Sequence, residues 1–537
     1  MKKLVLDVKK FIKENIPLVL FVFAIAIAIY GLKLFSFNVG IDSDVNYANP
    51  YNMFYQWHAK EWRYGITILS YLLFGTHIYN MMFSNFLAIF SLASSCILLC
   101  YTMNRYVSNN NKAGLYLFSV FYVASIVWME VMYFTYTAFP CMFATFVIPV
   151  GCIMMYEGII NKSLHSKVTG VILLVVSLTM YQPMGALFLA GILIIIFGEI
   201  ENGKLEKKQF KTLLNVALLM VLSLIIYVIL SLLVTKLVFK VELDKYVSGM
   251  LGYNGGIFKK LRNLVAFIYA VMFGSFRKLN EFLFVDIFKQ PIEKISSFYQ
   301  WSLRGSFLLF PSLIIYIVAI IKNKKCRSIT YFLVAIGILV SAVAINILGN
   351  GISTCRYMHA LPLVLGFIIY YSFMHINNKY INIVWMILCI VFASRFLFNS
   401  TMLQESDCRR YKFDVELSNK INDTIISKFS NQINDETKVF IIGRYPFNYG
   451  DSYMQGDIIG RSALFHGCEG SKIEATLRTI PFMKTLGYYY NGIEVNNERI
   501  DELRELAKTM PSYPVDGFAK MEYNVIIIKL NDFAYKQ

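Results

Sequence analysis

Charge is scarce in this chain: of 537 residues only 16% are Asp, Glu, Lys or Arg, while 57% are hydrophobic. That balance excludes an ordinary soluble enzyme, which surrounds its core with a charged surface. Metal-binding patterns are missing too. The nine cysteines are scattered, mostly inside apolar runs, and none forms a C-x-x-C pair or a Cys/His cluster with ligand spacing. Cys408 and Cys468 stand outside those runs, where pairing between them is open. There is no P-loop, no G-x-G-x-x-G opening a helix and no H-E-x-x-H, so nucleotide use at a cytoplasmic face has no support. No basic stripe with interleaved aromatics lies on a soluble segment, and nucleic acid is not expected as a partner. The buried charges on which transporters depend are few, since Lys33, Glu157 and Glu199 lie near the ends of apolar runs.

Long apolar runs are what the chain has in quantity. A helix needs about 20 residues to cross a bilayer, and helices satisfy their own backbone polar groups in lipid. Eleven spans are expected, near 16–35, 78–102, 114–130, 137–159, 168–181, 185–199, 213–235, 307–321, 329–348, 359–374 and 380–397. The fold class is thus a polytopic α-helical membrane protein. On this count the inner segments carry 18 Lys and Arg and the short outer loops carry three, which puts the N-terminus in the cytoplasm and the tail outside. The opening MKKLVLDVKKFIKEN, with five lysines, fits that orientation, and its apolar run is too long for a signal peptide. The net charge of +17 belongs to residues 1–400, because from Thr401 onward 17 basic residues face 19 acidic ones. The segment 236–306 holds eleven basic residues yet falls outside; within it LVAFIYAVMFGSF (264–276) suits an interfacial or re-entrant helix.

At about Thr401 the composition changes, and a division into a 1–400 membrane domain and a 401–537 tail is expected. Phe413, Leu417, Ile421 and Ile425 share one helix face, TKVFIIGRY and YNVIIIKL suit buried strands, and NNERIDELRELAKTM suits a helix. Together they suggest a small extracytoplasmic α/β domain.

Several polar residues stand where chemistry at a membrane boundary would need them. Asp42 and Asp44 lie two apart just past the first span, followed by Tyr47, Tyr51, Phe54, Tyr55, Trp57 and Trp62. Acids there can hydrogen-bond a substrate or be solvated, and the aromatics suit sugar faces or an interfacial belt equally. Arg356 is the one basic residue of its short outer loop, suited to fork onto phosphate or to anchor at the interface. His359 beside it suits packing, and the YQP turn that carries Tyr181 can aim Gln182 at the same space.

The Asp-x-Asp loop with WHAKEWRYG, the SLTMYQPMGALFL hairpin, CRYMHALPL and a tail ending PSYPVDGFAKMEYNVIIIKL resemble the serotype-converting O-antigen glucosyltransferases of the type II Gtr family. The resemblance spans nearly the whole chain. It implies a GT-C fold and a bacterial cytoplasmic-membrane enzyme that moves a hexose from a polyprenyl-phosphate carrier to a surface glycan on the outer face. It also implies a functional link to a polyprenyl-phosphate glycosyltransferase and a small flippase, with membrane lipids as surroundings. Asp44 and Asp42 become the catalytic candidates, with Asp44 preferred as base. Arg356, Arg63, Trp62, Tyr181, Gln182, His359 and Glu130 become substrate-binding candidates, and Glu61 with Glu130 are the next acids in line. No cofactor and no metal is expected, because a lipid-phosphate leaving group does not require a divalent ion. A non-catalytic transporter or flippase of lipid-linked sugar, and a structural protein whose tail binds wall polymer, are the alternatives.

Overall fold

The computed structural model describes residues 2–48, 57–74, 80–107, 111–205, 208–242, 309–323, 328–348, 355–445, 454–456, 458–464, 472–494 and 498–532, with Leu264. Apart from Leu264, the interfacial or re-entrant helix expected at 264–276 lies outside those residues, as do the aromatics Tyr51, Phe54 and Tyr55, and Cys468.

Each of the eleven expected segments overlaps helix, with 16–35 and 329–348 each divided into two pieces, and several helix starts follow capping chemistry. Asn80, Asn111, Ser163, Ser328 and Asn378 each accept a backbone N–H of the first turn through the side chain. Among the described residues six helices are long and apolar enough to cross a membrane: Met81–Tyr106, Lys112–Tyr133 taken across a break, Thr135–Ile160, Met184–Glu201, Gln209–Phe239 and Lys379–Phe429. A seventh follows if Lys2–Glu14 and Ile16–Tyr30, bent by 86°, count as one. Pro17, in the first turn of the second helix, supplies no N–H there, which suits a sharp entry. The chain is a helical protein whose apolar helices suit a membrane.

Two features depart from the sequence pattern. The expected 114–130 span breaks at Ala124, where Ser125 caps a separate short helix, Ile126–Tyr133. An additional apolar helix, Tyr64–Phe74, follows the acidic loop and exposes Ile68, Tyr71 and Leu72. At 11 residues it is too short to cross. It packs on Leu164–Met180 and Thr135–Ile160.

The last long helix, Lys379–Phe429, runs unbroken through Thr401 for 51 residues, about 77 Å at 1.5 Å per residue. No glycine or proline interrupts it. Its first turns expose Ile381, Ile387 and Val391, and its later turns bury Asp407, Arg410 and Asp414.

Beyond it lies a four-stranded sheet of β1 (Lys438–Ile442), β2 (Asn491–Gly492), β3 (Ala519–Glu522) and β4 (Val525–Lys529), in the order β2-β1-β4-β3. β1 pairs parallel with β4, and β3 antiparallel with β4. The alternation of a strand sends Phe440, Ile442, Val525 and Ile527 toward Ile500, Leu503 and Ala507 of the helix Ile500–Thr509. Val439, Ile441, Ile526 and Ile528 point the other way, into the core that includes Leu417, Ile421 and Ile425 of the long helix. The sheet is therefore fused to that helix through its apolar face.

Candidate functional site

The loop after the first apolar helix is held by its own backbone. Gly40 lies so close to Tyr133 that a Cβ would sit 2.3 Å from the ring, and this approach lets Ile41 N–H donate to the Tyr133 hydroxyl at 3.1 Å. Asp42 then adopts φ of +67°, a region Asp tolerates better than most residues. A short helix, Ser43–Ala48, follows.

Within it Asp44 is fully buried. Its Oδ1 accepts the Val45 N–H at 2.8 Å, while Oδ2 has no hydrogen-bond partner among the described residues. Burial pushes its carboxyl up to about 7, and Asp42 adds to the rise. Arg478, Arg410 and the Val45 amide pull against it. Asp42 differs: its side chain is 40% exposed and pairs with Arg478 Nη1 at 3.1 Å.

Residues further along the loop build a second cluster. Trp62 takes φ of +60°, a costly conformation for an aromatic residue, at about 1–3 kcal/mol. Its carbonyl accepts from the Tyr227 hydroxyl at 3.1 Å. Arg63 donates to Glu61 Oε2 at 2.8 Å and to Gln182 Oε1 at 3.1 Å, and its guanidinium lies 4.7 Å from the Tyr181 ring centre. Gln182 in turn donates to the Glu61 carbonyl at 2.7 Å. The YQP turn thus brings Gln182 onto the loop, and Glu61 holds Arg63. Tyr181 stacks on Tyr357 at 6.0 Å and meets His359 edge-on at 5.0 Å. His359 is buried against Trp128. Arg356 lies over the rings of Phe134 and Tyr357, at 5.3 and 5.4 Å.

Tyr136, in the first turn of Thr135–Ile160, lies within electrostatic reach of Asp42, Glu61 and Arg63, so the two clusters adjoin around it. Glu130 lies on Ile126–Tyr133, the helix that packs on the Cys355–Tyr357 turn. Its Oε2 accepts the N–H groups of Ile458 and Ile459 at 3.1 and 3.4 Å, and Gly456 is packed against its other oxygen. Among the described residues no group of three His, Cys, Asp or Glu is arranged to hold a metal ion.

A family model described as Glucosyl transferase GtrII matches residues 31–374. The chain belongs to the GtrII glucosyl transferase family. No curated protein and no solved structure matches it. The GtrII match makes the chain a glycosyltransferase by family, and the matched residues hold every site candidate drawn from the sequence. Arg478 and Arg410 lie beyond them, and sequence reasoning missed both as site residues. Pro481 disguises the helix Glu474–Thr485 that carries Arg478. Only the partner, 436 residues away, marks its place.

Proposed function

We propose that this GtrII-family chain transfers glucose, or another hexose, from a polyprenyl-phosphate carrier to a hydroxyl of a surface glycan at the outer face of the bacterial cytoplasmic membrane. The observation that carries the reading is Asp44: a buried carboxyl with one oxygen unpartnered among the described residues, pushed up to about 7, beside a cluster holding two arginines. A general base works best with a pKa near the operating pH.

In the reaction the acceptor oxygen attacks the anomeric carbon and its proton passes to Asp44. The bond from that carbon to the carrier phosphate breaks, and its electron pair leaves with the lipid phosphate. Arg356 and Arg63 supply donors for the charge that grows on that phosphate. Tyr181 and Trp62 offer ring faces to the sugar, with Gln182 and His359 lining the same space. Asp42 positions a hydroxyl. The reading takes the body as GT-C-like with eleven spans, and the tail from Thr401 as extracytoplasmic, on the strength of 18 basic residues in the inner segments against three outside. Loading of the carrier and its passage across the membrane fall to a separate polyprenyl-phosphate glycosyltransferase and a small flippase. The chemistry requires no divalent metal.

The test is reconstitution of the purified chain with polyprenyl-phosphoglucose and a glycan acceptor in the presence of a chelator. Glucosylated acceptor and free polyprenyl phosphate should appear in equal amounts. Movement of intact lipid-linked glucose across the vesicle wall without transfer would instead support the transporter alternative.

A further inference from the structure

The tail is fastened to the helical body by hydrogen bonds to side chains on helices. Met454 N–H donates to Ser406 Oγ at 2.9 Å, Ile458 and Ile459 to Glu130, and Gly460 to Asp407 Oδ1 at 3.4 Å. Ala463 N–H donates to Asp414 Oδ2 at 2.9 Å, and the Ser462 hydroxyl donates to its other oxygen. Arg410, fully buried, gathers these acids: it donates to Asp407 at 2.8 Å, to Asp414 at 3.2 Å and to the Val39 carbonyl at 2.8 Å. Val39 opens the loop that carries Asp42 and Asp44. One guanidinium thus ties the tail's attachment to the acidic loop.

From this attachment the chain continues to Glu474–Thr485, which packs on Ser43–Ala48 and places Arg478 on Asp42. The side chain of Arg478 is only 14% exposed, so its attraction to nearby acids is little screened.

We propose that the tail completes the transfer site, with Arg478 as a positioning residue that orients Asp42 and brings a positive charge to the loop that carries Asp44. This rests on Asp44 being the base. The charged groups within electrostatic reach of Asp44 are Asp42 from its own loop, Arg478 from Glu474–Thr485 and Arg410 from the long helix, and Tyr136 lies in reach of Asp42. Arg478 and Arg410 favour the carboxylate; Asp42 opposes it.

The experiment is the pH profile of kcat/KM for the full-length protein as wild type, Arg478→Gln, Arg478→Lys and Asp42→Asn, with melting temperatures measured alongside. Loss of a cation near a carboxyl raises its pKa by about 1 unit or more. The acid limb of Arg478→Gln should therefore move to higher pH by about that much, and Arg478→Lys should restore most of it. Asp42→Asn should move the limb the other way, since it removes a like charge. A merely structural role would lower the plateau and leave the limb in place; that result overturns the proposal. If Arg478→Gln fails to fold, Arg478→Lys takes its place: a limb moved part of the way up supports the proposal, and an unmoved limb with a lowered plateau overturns it. Wild-type turnover by Asp44→Asn would instead remove the base reading, an outcome separate from any of these.

Discussion

The two ends of the helical bundle treat charge in opposite ways. At the end where Met81–Tyr106 finishes, Arg105 sits between Asp7 at 2.9 Å and Glu157 at 2.6 Å, and Lys204 meets Glu199 at 2.7 Å. Glu201 there accepts from the hydroxyls of Tyr331 and Tyr371. At the loop end Asp44 is sealed with an oxygen that no described group satisfies, and Asp42 and Trp62 adopt left-handed backbone. A buried carboxylate without its full set of partners is costly to fold. The first end is arranged for stability. The second leaves a buried carboxyl incompletely paired among the described residues.

Three substitutions sharpen this contrast. The largest effect belongs to Arg410, which lies at the loop end but is fully paired. Arg410→Met strands Asp407 and Asp414 as buried charges and should cost about 3–5 kcal/mol in denaturant unfolding, while releasing the tail to limited proteolysis. A loss below 1 kcal/mol would show that the attachment is not what holds the tail. Next comes Arg356→Lys, which keeps the charge but loses the planar fork; donor affinity should fall about tenfold with folding intact. Unchanged binding would leave Arg356 as an interfacial anchor. The smallest effect is expected at the opposite end. Arg105→Gln breaks two partly exposed ion pairs, worth about 1 kcal/mol, and should leave kcat and KM as they are. A kinetic defect there would erase the distinction between the ends.

The sequence made the helical body legible because apolar length is a strong signal. All eleven expected segments meet helices. Local chemistry hid the rest. The break at Ala124 lies inside a continuous apolar run, so hydropathy passes over it. The composition shift at Thr401 suggests a boundary, yet nothing in RFLFNSTMLQES stops a helix, and the element runs on. Strands β1 and β4 were legible from their apolar runs, whereas β3, with Lys520 and Glu522, was not. In the site, the Asp-x-Asp pair and the YQP turn stood out by residue type and position. The burial that separates Asp44 from Asp42 did not, because it depends on a helix brought in from the far end of the chain.

Asp44 is the centre of the account, and one side-by-side assay tests it. Purified Asp44→Asn and Asp42→Asn are compared with wild type at pH 8 for transfer from polyprenyl-phosphoglucose, with donor binding measured separately. The amide preserves size and removes the proton acceptor, so Asp44→Asn should lose about 10²-fold or more in kcat with donor affinity nearly unchanged, and Asp42→Asn should lose less. The same sample carries a stability control. With its folded pKa near 7 and its unfolded value near 4, Asp44 makes the wild type lose stability as pH rises between those values, so Asp44→Asn should melt higher than wild type at pH 8, and the gap should close toward pH 4. Wild-type turnover in Asp44→Asn would contradict the account and turn attention to Glu61.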